Sequence, residues 1–168
     1  MNSCVQNIIR QLKDVQNGNI WIGSNYDKKL EGIDQSKAFI RPLPNLHSTA
    51  EIISHLTFWR KETILKIKTG MGSKTDACEE NWLPNETLSK KGWVVLKSEY
   101  DESLTTLIKL LDKKADSFLS QEYYDTDFRG YYPYQFLLTG MIQHDVYHLG
   151  QLGLILKLLD HPPSPPYG

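Results

Sequence analysis

The chain has 168 residues, which is long enough for one domain with a sizeable hydrophobic core. Hydrophobic residues make up 40% of it and charged residues 23%, a balance that excludes a disordered protein. Its 19 basic and 20 acidic residues give a formal net charge of -1. Because nucleic-acid-binding proteins usually carry a basic excess, we expect no nucleic-acid partner.

The cellular location is predicted from what the sequence does not contain. Cys4 and Cys78 lie far apart without a CxxC motif, so we expect two free thiols rather than a disulfide. No apolar run approaches the roughly 20 residues of a membrane-spanning helix, and residues 1–16 lack the apolar core of a signal peptide. We therefore expect a cytoplasmic protein with no membrane partner.

A long polar segment separates the first two predicted helices. Apolar residues spaced three and four apart predict a helix over residues 3–16. Residues 20–47 show no sustained period, and we expect only a short helix around residues 34–39. The second helix begins at Ser48, where the sequence STAE is typical of a capping box, and its apolar stripe continues to about Lys68.

A second irregular segment, residues 73–91, precedes the third predicted helix, which we place at about residues 94–119. The aromatic link QEYYDTDFRGYYPYQF follows at residues 121–136. Its side chains are candidates for a pocket mouth or a dimer contact, although packing is the favoured interpretation. Arg129 within the link is a weak candidate for holding an anionic group of a substrate. We find no convincing strand pattern.

The fourth helix is predicted to run to about Leu159, with Pro133 in its first turn, where a missing N–H does no harm. Four amphipathic helices predict an all-α protein, a four-helix bundle with long loops between helices 1 and 2 and between helices 2 and 3. We expect the bundle domain to occupy residues 1–160. The sequence HPPSPPYG at residues 161–168 predicts a Pro-rich tail.

Two histidines interrupt the apolar face of the fourth helix, in the stretch HDVYHLGQ. His144 and His148 are four residues apart, so both imidazoles leave the same face and can converge on one ion. A metal site normally needs a third protein ligand, and His55 on the inward stripe of the second helix can supply it. The alternative is three core histidines held by ordinary hydrogen bonds, but burying three imidazoles without a cation or donors would be costly.

Three segments of the chain resemble the DinB-like (YfiT-like) metalloenzymes, which are four-helix-bundle proteins with a three-histidine site. MIQHDVYHLGQLGLIL is similar to the family's closing-helix motif, His-Asp-x-Tyr-His-x-Gly-Gln, and LHSTAEIISHLTFWR to its second-helix motif. IWIGSNYDKKLEGI is similar to a connecting segment that often reads Trp-His-Gly, in which Ile22 here replaces the histidine. The resemblance implies His55, His144 and His148 as metal ligands.

The resemblance also implies a range of functions. Some members of the family are transferases that use bacillithiol, mycothiol or glutathione, and others have been called hydrolases. We therefore expect a divalent ion, with zinc and nickel favoured, a small-molecule substrate and a candidate thiol cosubstrate. A homodimer is a plausible assembly, and the family name implies a stress response. The alternative is a non-enzymatic bundle in which the ion has a structural or ligand-sensing role.

An ion held by three neutral imidazoles keeps open positions, where it lowers the pKa of bound water toward about 7 or binds a thiol as thiolate. The remaining residues of the motif have open roles. Asp145 is either an orienting group behind the site or a solvated carboxylate. Tyr147 and Gln151 either hydrogen-bond the groups around them or simply pack and cap.

Three features outside this motif also have predicted roles. We expect Trp82 to cover the same cavity, and His47, before the capping serine, to be structural or to support the site. The sequence TGMGSKT at residues 69–75 lacks the spacing of a phosphate loop, and we expect no phosphate site there.

Overall fold

The structure is a computed structural model that describes residues 3–162. Within these residues the chain forms seven α-helices and two short strands. In chain order they are α1 Ser3–Gln16, α2 Tyr26–Leu30, α3 Gln35–Ala38, α4 Thr49–Thr69, α5 Asn85–Lys91, α6 Trp93–Leu111, β1 Glu122–Asp125, β2 Gly130–Pro133 and α7 Tyr134–Asp160. The four long helices α1, α4, α6 and α7 confirm the predicted bundle.

The second long helix begins and ends where the sequence predicts. The Ser48 hydroxyl accepts a hydrogen bond from the Glu51 amide at 3.1 Å, and the Glu51 carboxylate accepts one from the Ser48 amide at 2.8 Å. This is the predicted capping box, which satisfies two amides that a helix start would otherwise leave unpaired. At the other end Gly70 adopts a left-handed backbone with φ of 73°, which glycine tolerates best.

The third long helix is shorter than predicted. α6 ends at Leu111, and residues 116–120 form a separate 3-10 turn. The carboxylate of Asp116 accepts hydrogen bonds from the amides of Cys4 at 3.1 Å and Val5 at 2.9 Å. The chain must leave the helix here because this carboxylate caps the start of α1, a long-range contact that helical periodicity does not reveal.

The expectation that the chain contains no strand is wrong. β1 and β2 form an antiparallel hairpin in which Tyr123 faces Tyr132 and Tyr124 faces Tyr131. Aromatic pairs across two short strands stabilise such a ribbon, and four residues are too few to show a strand period. Pro133 ends β2 and precedes the first turn of α7 as its N-cap, rather than lying inside that turn.

The two long connections contain more helix than predicted. Residues 20–47 include α2 as well as the expected short helix α3, and residues 73–91 contain a 3-10 turn at Glu79–Trp82 followed by α5. Asn25 and Asp34 cap α2 and α3 with their side chains. A five-residue and a four-residue helix are too short for a periodic pattern to be visible in the sequence.

The core is divided into two apolar clusters along the bundle. Among its most deeply buried side chains are Leu12, Tyr26, Ile53, Leu56, Tyr100, Leu107, Leu138, Leu149 and Leu152. Among the described residues, no helix combines the length and apolar character that crossing a membrane requires. The predicted tail lies outside the described residues except for His161 and Pro162, both of which are exposed.

Candidate metal centre

Two antiparallel helices, α4 and α7, provide the long walls of a cavity of about 1010 Å³. The Tyr134 hydroxyl at the start of α7 donates to the Lys66 carbonyl near the end of α4 at 2.8 Å, which fixes their opposite directions. On each helix, part of the lining follows a stripe of side chains at intervals of three or four residues. The stripes are His55, Trp59, Thr63 and Lys66 on α4, and Leu137, Met141, His144 and His148 on α7.

The three predicted ligands meet at one end of this cavity. The Nε2 atoms of His55 and His144 are 3.0 Å apart, and those of His144 and His148 are 3.1 Å apart. All three residues offer ring nitrogens that lie within 4.8 Å of one another. A tetrahedral ion with bonds of about 2.0–2.1 Å separates its ligand atoms by roughly 3.4 Å, so the cluster is close to that geometry.

Partners behind two of the rings orient them toward each other. The Nδ1–H of His55 donates to the carbonyl of Asn81 at 3.2 Å, and the Nδ1–H of His148 donates to Oε1 of Gln151 at 2.7 Å. A carbonyl can only accept, so the proton of His55 belongs on Nδ1 and its Nε2 presents a lone pair. Such outer contacts fix the tautomer and orientation of metal-binding histidines. Gln151 therefore hydrogen-bonds a candidate ligand rather than merely packing.

The chemistry of this donor set fits a cation. With Nδ1 of His55 and His148 protonated, both Nε2 atoms are acceptors, and His144 has a single proton to offer between them. Nδ1 of His144 is buried and has no hydrogen-bond partner among the described residues. At most one of the two short nitrogen contacts is thus an ordinary hydrogen bond. An ion between the three lone pairs would satisfy all of them.

Burial keeps the three imidazoles uncharged. It is the main cause that lowers the pKa of His55 to about 4 and of His144 to about 3, with neighbouring imidazoles adding to the effect. Burial also lowers the pKa of His148, although the hydrogen bond with Gln151 opposes it. All three rings are therefore neutral near pH 7, which is the form that coordinates a metal.

Trp82 covers one face of the site, as the sequence predicts. Its ring stacks on His55 with centroids 3.8 Å apart, and on His47 at the same distance. The 3-10 turn that carries Trp82 also supplies the Asn81 carbonyl, so one short segment both orients and shields the His55 ring. His47 is half-exposed and lines the cavity, which agrees with a supporting role.

Asp145 is not the solvated carboxylate that was one of its two predicted roles. It is fully buried, and its Oδ2 accepts a hydrogen bond from Nη2 of Arg60 at 2.8 Å. The Arg60 guanidinium is itself fully buried; it also donates to the Tyr100 hydroxyl at 3.1 Å and lies 4.2 Å from that ring's centroid. Burial is the largest single influence and lowers the pKa of Arg60, but the Asp145 carboxylate and the two neighbouring tyrosines together raise it by more, so the arginine stays charged.

The other predicted candidates differ in whether they line the cavity. Tyr147 lines the cavity and is 62% exposed, so its hydroxyl reaches solvent. Arg129 is not among the cavity-lining residues, and its φ of 55° instead reflects the turn between the two strands. In the segment 69–75 the amides of Ser73 and Lys74 donate to a Glu62 carboxylate oxygen. These amides have an internal anion as their partner, in agreement with the expectation of no phosphate site.

Sequence reasoning missed the charged pair at the opposite end of the cavity. Lys66 and Asp125 both line it, and Nζ of Lys66 donates to Oδ2 of Asp125 at 2.8 Å. Lys66 is part of a Lys-rich helix end and Asp125 belongs to the unpredicted hairpin, so neither carried a signal. Lys66 is 11 residues after His55, a spacing that returns to nearly the same helix face.

Comparisons with known proteins agree with this architecture. At a TM-score of 0.66 and 14% identity, the fold is similar to a mycothiol-dependent maleylpyruvate isomerase; the match covers 89% of this chain but only 60% of the isomerase. YfiT from Bacillus subtilis, a probable metal-dependent hydrolase with an unusual four-helix bundle topology, gives 0.62 and 10%, covering 95% of this chain and 90% of YfiT. A DinB-like protein from Bacillus subtilis gives 0.61 and 16%, covering 95% of this chain and 96% of that protein.

These identities show a common fold and nothing about a common reaction. No curated protein matches the chain by sequence. The sequence pattern of the DinB superfamily matches residues 22–152, which include α4, the hairpin and the part of α7 that carries both histidines. Because this match covers well over half of the chain, the protein belongs to the DinB superfamily.

Proposed function

We propose that the protein is a divalent-metal-dependent transferase that joins a low-molecular-weight thiol to a small electrophile, with His55, His144 and His148 as the metal ligands. The observation that carries the proposal is the convergence of three neutral imidazoles whose Nε2 atoms lie 3.0 and 3.1 Å apart. When bound, zinc or nickel supplies a Lewis acid that favours the deprotonated form of a thiol or water ligand.

The size of the cavity favours two small molecules over one. About 1010 Å³ lies at the upper end of the range of roughly 300–1,000 Å³ for small-molecule sites. A thiol cosubstrate at the histidines leaves the rest of the cavity for its electrophile. A mycothiol-dependent isomerase is also among the proteins of similar fold, and this supports a thiol without identifying which one.

The surroundings of the histidines favour a thiol over water. In HExxH proteases the acidic residue after the first histidine serves as the base that activates water. Its counterpart here, Asp145, is fully buried and ion-paired with Arg60, so it cannot take a proton from a molecule in the cavity. A thiol would release its proton to solvent on binding the ion as thiolate, and its sulfur then needs no base in the transfer step. Hydrolysis remains the second candidate because YfiT is described in those terms.

Metal content provides the first test. Protein purified without a nickel column is dialysed against zinc or nickel, and bound metal is measured by plasma mass spectrometry. We expect one ion per chain, and its loss in His55→Ala and His148→Ala. His161→Ala is the matched control, since His161 is an exposed histidine just after α7. Only traces of metal in the wild-type protein after this treatment would overturn the proposal.

Activity provides the second test. Zinc-loaded and nickel-loaded protein is incubated with bacillithiol, mycothiol or glutathione and a panel of small electrophiles, and consumption of free thiol is followed. We expect metal-dependent turnover with at least one thiol, abolished by His148→Ala. Metal binding with thiol-independent cleavage of ester or amide substrates would favour the hydrolase. Metal binding that only raises the melting temperature, without turnover of any substrate, would favour the non-enzymatic alternative.

A further inference from the structure

We infer that Lys66, at the end of the cavity opposite the histidines, binds a carboxylate on the substrate. The inference rests on the proposed function, because it describes a substrate with one end at the metal or at the thiol bound there and the other end at Lys66. The relevant class is a small molecule with an apolar middle, a metal-binding or thiol-reactive group at one end and a monoanionic carboxylate at the other.

The two ends belong to one continuous trough. His55 and Lys66 lie on the same face of α4, about 16 Å apart along the helix axis. Between them are the ring of Trp59 and the side chain of Thr63, and Leu137 and Met141 lie on the facing wall of α7. A ligand that reaches from the imidazoles toward Lys66 would thus contact mostly apolar and aromatic groups on the way, which suits an alkyl or aromatic middle.

Lys66 is a buried residue of the cavity wall and not a surface lysine. Only 3% of the residue is exposed to solvent, although a lysine ammonium is strongly hydrated when free. Its chain is confined by Gly72, where even a Cβ atom would come within 2.8 Å of Cε. The rings of Tyr123 and Trp59 lie 5.4 and 5.9 Å from its Nζ. The ammonium is therefore held in place at the cavity wall.

The Lys66 ammonium has more N–H donors than it has acceptors among the described residues. It carries three N–H groups, and among the described residues only Asp125 accepts a hydrogen bond from it. Thr63 adds a hydroxyl on the same wall one turn earlier. A buried cation with unfilled donors next to an apolar cavity is a favourable place for an anionic oxygen, because charge-assisted hydrogen bonds are the strong ones.

Asp125 is not a binding site for a cationic ligand, because both of its carboxylate oxygens already accept hydrogen bonds from within the chain. Oδ2 accepts from Lys66 at 2.8 Å and from the Tyr123 hydroxyl at 3.1 Å. Oδ1 accepts from the amides of Asp127 at 2.9 Å and Phe128 at 3.0 Å. Four donors spread the charge of this carboxylate over the hairpin turn. Of these two paired groups, the ammonium is the one with unused hydrogen-bonding capacity.

Two further carboxylates, of Asp76 and Asp127, line the cavity and would favour an amine instead. Asp76 is exposed and Asp127 is half-buried, so water screens them more than it screens Lys66. Each also accepts a hydrogen bond from within the chain: Asp76 from the side chain of Asn81, and Asp127 from the amide of Asp76. Lys66 is the one buried cation among the described residues that line the cavity, which predicts a monoanion, and amine-terminated ligands become the decisive comparison.

Binding to cobalt-loaded protein tests the inference without relying on turnover. Three series of thiols of increasing chain length are titrated, ending in a carboxylate, an alcohol or an amine, and the thiolate-to-cobalt absorption band reports binding. We expect the carboxylate of suitable length to bind about tenfold or more tightly than the matched alcohol. Equal binding of carboxylate and alcohol, or tighter binding of the amine, would overturn the inference and leave the metal site intact.

A charge-neutral variant assigns the effect to Lys66. Removing the lysine alone would leave Asp125 buried without its cation, so the variant combines Lys66→Met with Asp125→Asn, which keeps an oxygen for the two backbone amides. It should lose the preference for carboxylates while binding the alcohols as before. Lys61→Met, an exposed lysine on the same helix, is the control and should change neither. If the double variant does not fold, the wild-type protein's preference for carboxylates over alcohols and amines still decides whether the inference stands.

A metal-free arm separates the two proposals. Alkanoates and alkanols of equal length are titrated into chelator-treated protein, and fluorescence of the cavity tryptophans, Trp59 and Trp82, reports binding. Preference for alkanoates in a protein that binds no metal would support the Lys66 site and refute the proposed function. Metal binding without any preference for alkanoates would do the reverse.

Discussion

The ion pair between Arg60 and Asp145 allows a direct test of how buried charge contributes to the stability of this bundle. Both side chains are fully buried, and they share a single hydrogen bond of 2.8 Å. Nε and Nη1 of Arg60 and Oδ1 of Asp145 have no hydrogen-bond partner among the described residues. The pair is thus incompletely satisfied, which is the situation in which desolvation offsets most of the attraction.

We predict strong non-additivity in a double-mutant cycle of Arg60→Met and Asp145→Leu. Each single substitution leaves one buried charge without its partner and should lower the free energy of unfolding by about 3–5 kcal/mol. For Asp145→Leu the loss should fall near the lower end, because the Tyr100 ring and hydroxyl still contact the guanidinium and are worth roughly 0.5–2 kcal/mol. The double variant should lie within about 1 kcal/mol of the wild type.

Urea unfolding of the metal-free proteins, followed by circular dichroism, measures all four corners of the cycle. For a chain of this size, a loss of 3 kcal/mol corresponds to a fall in melting temperature of roughly 6–12 °C. Lys61→Met breaks the exposed pair with Glu99 and should cost at most about 1 kcal/mol. If the two single losses simply add in the double variant, the reasoning about unpaired buried charge is refuted.

Four further predictions concern the site and its supports. In metal-free protein the pKa values of folded His55 and His144 are about 4 and about 3, below the unfolded value of about 6.5. Their contribution to stability is therefore present above a pH of about 6.5 and is lost as the pH falls toward 4 and 3. Urea midpoints measured across this range should fall on acidification, and they should fall less steeply in His55→Gln. Gln151→Ala should weaken zinc binding about 10- to 100-fold in a chelator competition, while Gln151→Glu, which keeps an acceptor for His148, should lose much less. Trp82→Ala removes the stacking on His55 and should weaken zinc binding in the same competition. Unchanged affinity would mean that Trp82 shields the site without helping to orient the His55 ring. Ser48→Ala should lower the unfolding free energy by about 1 kcal/mol through the lost capping box, without changing zinc affinity.

The parts of the structure that the sequence predicts are those governed by local rules. Helical period and the Ser48 capping box place α4 to within a residue or two, and the four-residue spacing of His144 and His148 puts both rings on one face. His55 could be added because it lies on the inward stripe of the second helix and a metal site normally needs a third ligand. In each case the residues that define the feature lie within a few turns of one helix.

The parts that were missed depend on contacts between distant segments. α6 ends early because Asp116 caps α1, more than 110 residues away in sequence. The hairpin is stabilised by paired tyrosines and by its attachment to the end of α4, where the Tyr124 amide donates to the Gly70 carbonyl at 2.9 Å. The carbonyl of Asn81 that orients His55 is a backbone atom, so the side-chain sequence carries no trace of it.

α4 combines a share of the apolar core with an unusual number of buried polar side chains. Among its buried polar side chains are His55, Arg60, Glu62 and Lys66, each matched by a partner from another segment. Apolar side chains in the two core clusters supply the burial that stabilises the fold, while α4 gives up part of its apolar stripe to polar groups. The trough between α4 and α7 has neutral imidazoles at one end and the Lys66 ammonium at the other, and this separation suits a ligand with two chemically different ends.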